Sequence, residues 1–188
     1  MARRLDVLVP SVPAVVLGST QPEVDGAAAA ARGLAVVRRR SGGGAVLVAP
    51  DDPLWVDVDL PAGDRRWEDD VGRSFLWLGH AWAAALRRHG LDATVHEGRF
   101  EPGRWGREVC FAGRGPGEVF VDGAKAVGIA QRRTRGGARF QCAVPRRWEP
   151  EALGALVAPG ADLGGVAHPV AVPSDDLVGA LLDALTER

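Results

Sequence analysis

One hairpin constrains this chain more than any other feature. Glu118-Val119-Phe120-Val121-Asp122-Gly123 alternates and ends in Asp-Gly, the pattern of a strand entering a tight turn. Ala126 to Gln131 is the expected return strand, with Lys125 at its start. Gly128 and Ala130 leave positions on that strand where another group can pack closely against the backbone. A lysine fixed among Ala126, Val127 and Gly128 is placed to stabilise a phosphate or a developing oxyanion. The competing reading is a hairpin with a solvated lysine at its turn, and K-x-x-G alone does not choose between them.

A second segment does. Val36-Val37-Arg38-Arg39-Arg40-Ser41-Gly42-Gly43-Gly44-Ala45-Val46-Leu47-Val48 reads as strand, basic turn, triple glycine and strand. Three glycines strip the loop of side chains, so a ligand can lie on its amides beside the arginine charges. No Gly-Lys-Ser/Thr follows and no helix opens after it, which excludes the phosphate loop of nucleotide triphosphatases.

Together the two segments resemble the lipoate–protein ligase A and octanoyltransferase branch of the biotin/lipoate ligase superfamily. Arg38 to Val46 matches its R-R-x-S/T-G-G-G/R-x-V, and Lys125, Gly128, Ala130 and Gln131 match K-x-x-G-x-A-Q. Val16, Gly18 and Gln21 match an earlier V-x-G-x-x-Q. The three motifs stand in the family's order across Val15 to Val144. The resemblance implies an α/β (α+β) fold, a mixed central sheet flanked by helices, as a single catalytic domain over residues 1–188. It implies acyl transfer of lipoate or octanoate to a lysine of a lipoyl domain, from a 2-oxoacid dehydrogenase or a glycine-cleavage protein. In the ligase version ATP and magnesium give an acyl-adenylate. Arg38, Arg39, Ser41, Gly42, Gly43, Gly44, Ala45, Gly128, Ala130 and Gln131 would line the acyl pocket, with Lys125 as the catalytic cation.

The same resemblance gives the cysteines a part. Cys110 and Cys142 are the only two, too few for a disulfide framework and without zinc spacing. In cysteine-dependent octanoyltransferases of this superfamily the acyl-carrying thiol sits in a Cys-Phe pair, at the distance that separates Cys110-Phe111 from Lys125. Cys110 would then take the acyl group from an acyl carrier protein without ATP, with Lys125 favouring the thiolate or holding the oxyanion. Against that stands the habit of free cysteine to pack in cores, which is the reading for Cys142. Val48-Ala49 stand where the family has His-Asp, and Gln141-Cys142 where it has His-Gly. These departures admit a third alternative, a non-catalytic binder of lipoyl groups or lipoyl domains. Against the family's order the opening helix of many members is missing before Met1, which reads as a shortened lineage or a true start upstream, and no C-terminal accessory domain is expected.

The net charge of -1 predicts no attraction to nucleic acid or membrane, and no apolar run is long enough to span a bilayer. Few cysteines and no apolar signal core after Met1-Ala2-Arg3-Arg4 give a cytoplasmic expectation, and a monomer is expected. Strands are expected at Ala14–Leu17, Ala35–Val37, Ala45–Val48, Leu54–Leu60 and Ala93–His96, and short helices at Val24–Ala31 and Glu149–Val157. The clearest helix is Asp69–Arg88, with Val71, Phe75, Leu78, Trp82 and Ala85 as its apolar stripe. Ser174-Asp175-Asp176 is expected to cap a final helix through Leu177, Leu181, Leu182 and Leu185. Asp57 and Asp59 share a strand face, read as solvated rather than metal-binding, and His80, His89 and His96 lack ligand spacing. The loop Glu97–Arg107 is irregular and basic, with Trp105 available to cover a pocket.

Overall fold

The computed structural model describes residues 3–186, so Met1, Ala2, Glu187 and Arg188 of the expected domain lie outside the described residues. The first half supplies β1 (Arg4–Leu8), β2 (Ala14–Leu17), α1 (Gly26–Ala30), β3 (Ala35–Arg38), β4 (Val46–Val48) and β5 (Leu54–Pro61). After α2 (Leu76–Arg88) come β6 (Ala93–Val95), β7 (Val119–Val121), β8 (Ala124–Thr134) and β9 (Gly137–Val144), then α3 (Pro150–Val157) and α4 (Ser174–Thr186). Six strands form an antiparallel sheet in the order β1-β5-β9-β8-β7-β6. A second sheet, β3-β2-β4, pairs β2 parallel to β3 and antiparallel to β4. The mixed character of the fold lies in this smaller sheet.

Period-two alternation on β5 explains how the large sheet is covered on both sides. Leu54, Val56, Val58 and Leu60 point into a core with α2 and α4. Trp55 points the other way, into a core shared with Val16, Val46, Val48 and Phe111. Asp57 lies on that second side and is only 4% exposed. Its carboxylate accepts from Trp55 Nε1 at 2.9 Å and lies 3.6 Å from Arg139. Burial pushes the Asp57 carboxyl up, whereas hydrogen bonding to Arg139 holds Asp59 below its ordinary value. The expected solvated aspartate face is therefore corrected at Asp57. Among the described residues no group of three or more metal-ligating side chains occurs.

The long helix begins later than its periodicity suggests. Asp70 accepts a hydrogen bond from the Arg73 N–H at 2.9 Å, and the Ser74 hydroxyl donates to the Val71 carbonyl at 2.6 Å. These local bonds divert the backbone, so a single 3₁₀ turn, Arg73–Phe75, precedes α2 and Val71 stays 54% exposed. Leu78, Trp82 and Ala85 are buried as expected, and Phe75 and Trp77 meet Phe140 edge-on at 5.8 and 5.5 Å. Truncating Trp82 to alanine is expected to cost about 3–5 kcal/mol, read as a lower melting temperature. α1 is shorter than expected because the Asp25 carboxylate caps it, accepting from Ala27 and Ala28. At α4 the Pro173 carbonyl accepts from Leu177, one residue earlier than the expected cap, and Leu182 is exposed. No described helix is long and apolar enough to cross a membrane.

Candidate active site

Lys125 is the only lysine in the chain, although Lys and Arg together number 23. It is 1% exposed, which rules out the solvated-turn reading. Two local features bring it inside. Asp122 and Gly123 both take positive φ, 51° and 80°, the geometry of the tight hairpin turn joining β7 to β8. The pairing then slips: Phe120 faces Lys125 but Val119 faces Val127, so Ala126 is an extra residue on β8. That bulge sets residues three apart, Lys125 and Gly128, toward the same place. A Cβ added at Gly128 would lie 3.6 Å from Cys110 Sγ and 3.8 Å from both Lys125 Cδ and Glu118 Oε1. The spacing K-x-x-G thus has a geometric cause.

The Lys125 ammonium is closely held. Nζ lies 2.6 Å from Glu118 Oε2 and donates to the backbone carbonyl of Cys110 at 2.6 Å. Glu118 is also buried; burial pushes its carboxyl up, against the pull of Lys125 and the N–H groups of Gly115 and Ile129. The backbone of Lys125 is clamped as well, donating to Val166 at 3.0 Å and accepting from His168 at 2.9 Å.

The glycine loop is tied to the same centre. Ala45 donates to the Glu108 carbonyl at 2.8 Å and accepts from the Cys110 N–H at 2.9 Å. Gln21 closes the other side, its Oε1 accepting from the Gly18 N–H and its Nε2 donating to the Glu108 carbonyl, each at 2.8 Å. Arg39 uses its donors on the glycine loop and Arg38 on the Gly18–Gln21 turn. Arg39 donates to the carbonyls of Gly42 and Gly44 at 2.8 and 2.9 Å, and Arg38 to those of Gly18 and Gln21 at 2.8 Å.

Between these segments lies a cavity of about 680 Å³. Of the residues expected there, Arg39, Gly42, Gly43, Gly44, Cys110, Lys125, Ala130 and Gln131 line it. Arg38, Ser41, Ala45 and Gly128 do not. Ser41 is buried behind the loop, its hydroxyl donating to Gln141 at 2.6 Å. Trp105 packs into a core under the loop, and Phe100 from the same segment reaches the cavity instead. Glu118 and Phe75 also line it without having been singled out. The hairpin alternation contained Glu118, but only the bulge reveals that it meets Lys125.

The catalytic-domain model of lipoyl protein ligases A and B matches residues 5–187. The chain belongs to that family. It is accordingly an enzyme of the ligase or acyltransferase type, with a lipoate-ligase-like fold. Protein Ta0514 of Thermoplasma acidophilum, solved with lipoic acid bound, superposes with a TM-score of 0.76 at 20% identity, over 98% of this chain and 71% of that one. A lipoate-protein ligase A bound with ATP gives 0.77 at 22% identity, over 98% and 71%. The Thermoplasma acidophilum bi-partite lipoate protein ligase, from a study with its E2 lipoyl domain, gives 0.75 at 20% identity, over 98% and 70%. A search of curated proteins finds no match.

Within this lipoyl ligase-type domain the two thiols differ sharply. Cys142 is buried in the main core, where loss of solvation pushes its thiol up to about 12. Cys110 is half-buried in the cavity wall. Iodoacetamide on the native protein should therefore modify Cys110 alone, with Cys142 reacting only after unfolding, as intact mass would record.

Proposed function

We propose that this enzyme joins lipoate or octanoate to the lysine of a lipoyl domain through an acyl-adenylate. The observation that carries this reading is the placement of one buried cation, Lys125, in a cavity that a side-chain-free loop, Gly42 to Gly44, also lines. The acid's carboxylate oxygen would bond to the α-phosphorus of ATP, releasing pyrophosphate. The acceptor amine would then attack the acyl carbonyl, forming the amide and releasing AMP and a proton. Both steps build negative charge on oxygen, which an ammonium and backbone N–H groups stabilise best in a site shielded from water. Relatives solved with lipoic acid, with ATP and alongside an E2 lipoyl domain support the choice of substrates and partner. Magnesium would be held largely by ATP phosphates, which commonly supply its ligands.

The position of Cys110 in the cavity wall favours one second reading, an ATP-independent octanoyltransferase. There the thiolate would displace the carrier's thiol, and the lipoyl-domain amine would take the acyl group from Cys110. In either reading the ammonium, held by the carbonyl of Cys110 and the Glu118 carboxylate, would face the developing oxyanion. Intact mass spectrometry decides between them. Lipoate or octanoate with ATP and a lipoyl domain should yield acylated lipoyl domain, and Cys110→Ser should keep most of that activity. A covalent acyl adduct on Cys110 from octanoyl-carrier protein without ATP, together with loss of transfer in Cys110→Ser, would establish the transferase instead.

A further inference from the structure

We infer that Glu118 is the positioning residue for Lys125: its carboxylate holds the ammonium in the cavity wall with one N–H left for substrate. This rests on the role given to Lys125 under the proposed function. An ammonium has three N–H donors and no acceptor. One meets Glu118 Oε2 at 2.6 Å and one the Cys110 carbonyl at 2.6 Å. The ring of Phe111 lies 6.0 Å from Nζ, at the outer limit of a cation–π contact, and takes up no donor. The third N–H remains, and both Lys125 and Glu118 line the cavity.

The way Glu118 is held argues for placement as well as neutralisation. Oε2 accepts from the Gly115 N–H as well as from Lys125, so the carboxylate is fixed from its own turn. Gly115 and Pro116 of that turn line the cavity, and Gly117 packs so tightly on the 3₁₀ turn before α2 that a Cβ there would lie 2.6 Å from Phe75. Across the β8 bulge Gly128 faces the pair, since a Cβ there would lie 3.8 Å from both Glu118 Oε1 and Lys125 Cδ. Lys125 has four side-chain rotors, and charge alone would leave its tip free to wander. A carboxylate anchored on one side and the Cys110 carbonyl on the other fix it.

The test uses two variants and two readouts. Glu118→Asp keeps the charge but withdraws the carboxylate by one methylene, and Glu118→Gln keeps the shape but removes the charge. In acyl transfer to a lipoyl domain, both should lower kcat, Glu118→Gln by about 100-fold, the loss typical of a displaced oxyanion donor, with KM for lipoate little changed. The second readout is independent of activity. With ¹⁵N-lysine labelling the chain gives one side-chain ammonium signal, because Lys125 is its only lysine. That signal should be protected from exchange in the wild type and lost or shifted in both variants. A folded Glu118→Asp protein with wild-type kcat would overturn the inference, as would an ammonium signal unchanged in both variants. If the wild type transfers no acyl group, the proposed function fails, and the ammonium signal still decides whether Glu118 fixes Lys125.

Discussion

Lys125→Ala is expected to abolish acyl transfer and to lower unfolding stability by about 3–5 kcal/mol, the usual cost of stripping one partner from a buried ion pair. Glu118 would be left buried with only backbone donors around a carboxylate whose burial already pushes it up. The sign of the pH dependence follows. A carboxyl with a raised folded value opposes folding only when ionised, so its cost is absent below the ordinary glutamate value of 4.5 and grows as pH rises toward the folded value. Melting curves of Lys125→Ala should thus draw closer to wild type as pH falls from 7 toward that value. Adding Glu118→Gln to Lys125→Ala should recover stability at neutral pH without recovering transfer. Retained transfer in Lys125→Ala would remove Lys125 from the chemistry altogether.

Gly44→Ala should be nearly as damaging, through sterics rather than charge. A Cβ at Gly44 would sit 2.5 Å from Val109 C and 2.6 Å from Cys110 N, both backbone atoms. Neither can retreat without stretching the bonds from Ala45 to Glu108 and Cys110. Overpacking of this kind costs about 1–3 kcal/mol, and displacing the loop should also impair adenylate formation. Gly42→Ala is the control, since nothing lies within 4 Å of its added Cβ. Its melting temperature should match wild type. Equal destabilisation by the two substitutions would mean that the loop does not pack as described.

The sequence showed the strand-forming runs and the three motifs because alternation and glycine punctuation act over a few residues. It showed less well which side each motif residue takes. The R-R-x-S-G-G-G run brought Arg39, Gly42, Gly43 and Gly44 to the cavity, yet Ser41 turned inward to Gln141 and Arg38 toward the Gly18–Gln21 turn. Those outcomes depend on partners 100 and 20 residues away, which no local pattern encodes. Glu118 stayed hidden for a related reason. Its contact with Lys125 depends on one extra residue in β8, and a bulge leaves no compositional mark. At Asp57 the alternation correctly gave the face, but whether that face is covered was settled by Trp55 and the small sheet. The start of α2 failed at Asp70 and Ser74, whose side chains compete with helical backbone bonds.

The solitary lysine has one more consequence. An enzyme that prepares activated acyl groups for an amine is exposed to acylating itself, because escaped acyl-adenylate reacts with whatever ε-amine it meets first. This chain offers none at its surface: every other side-chain cation is a guanidinium or an imidazole, and its one ε-amine is buried against Glu118. On the proposed reaction, the amine would have to come from outside, on the partner that is to be modified.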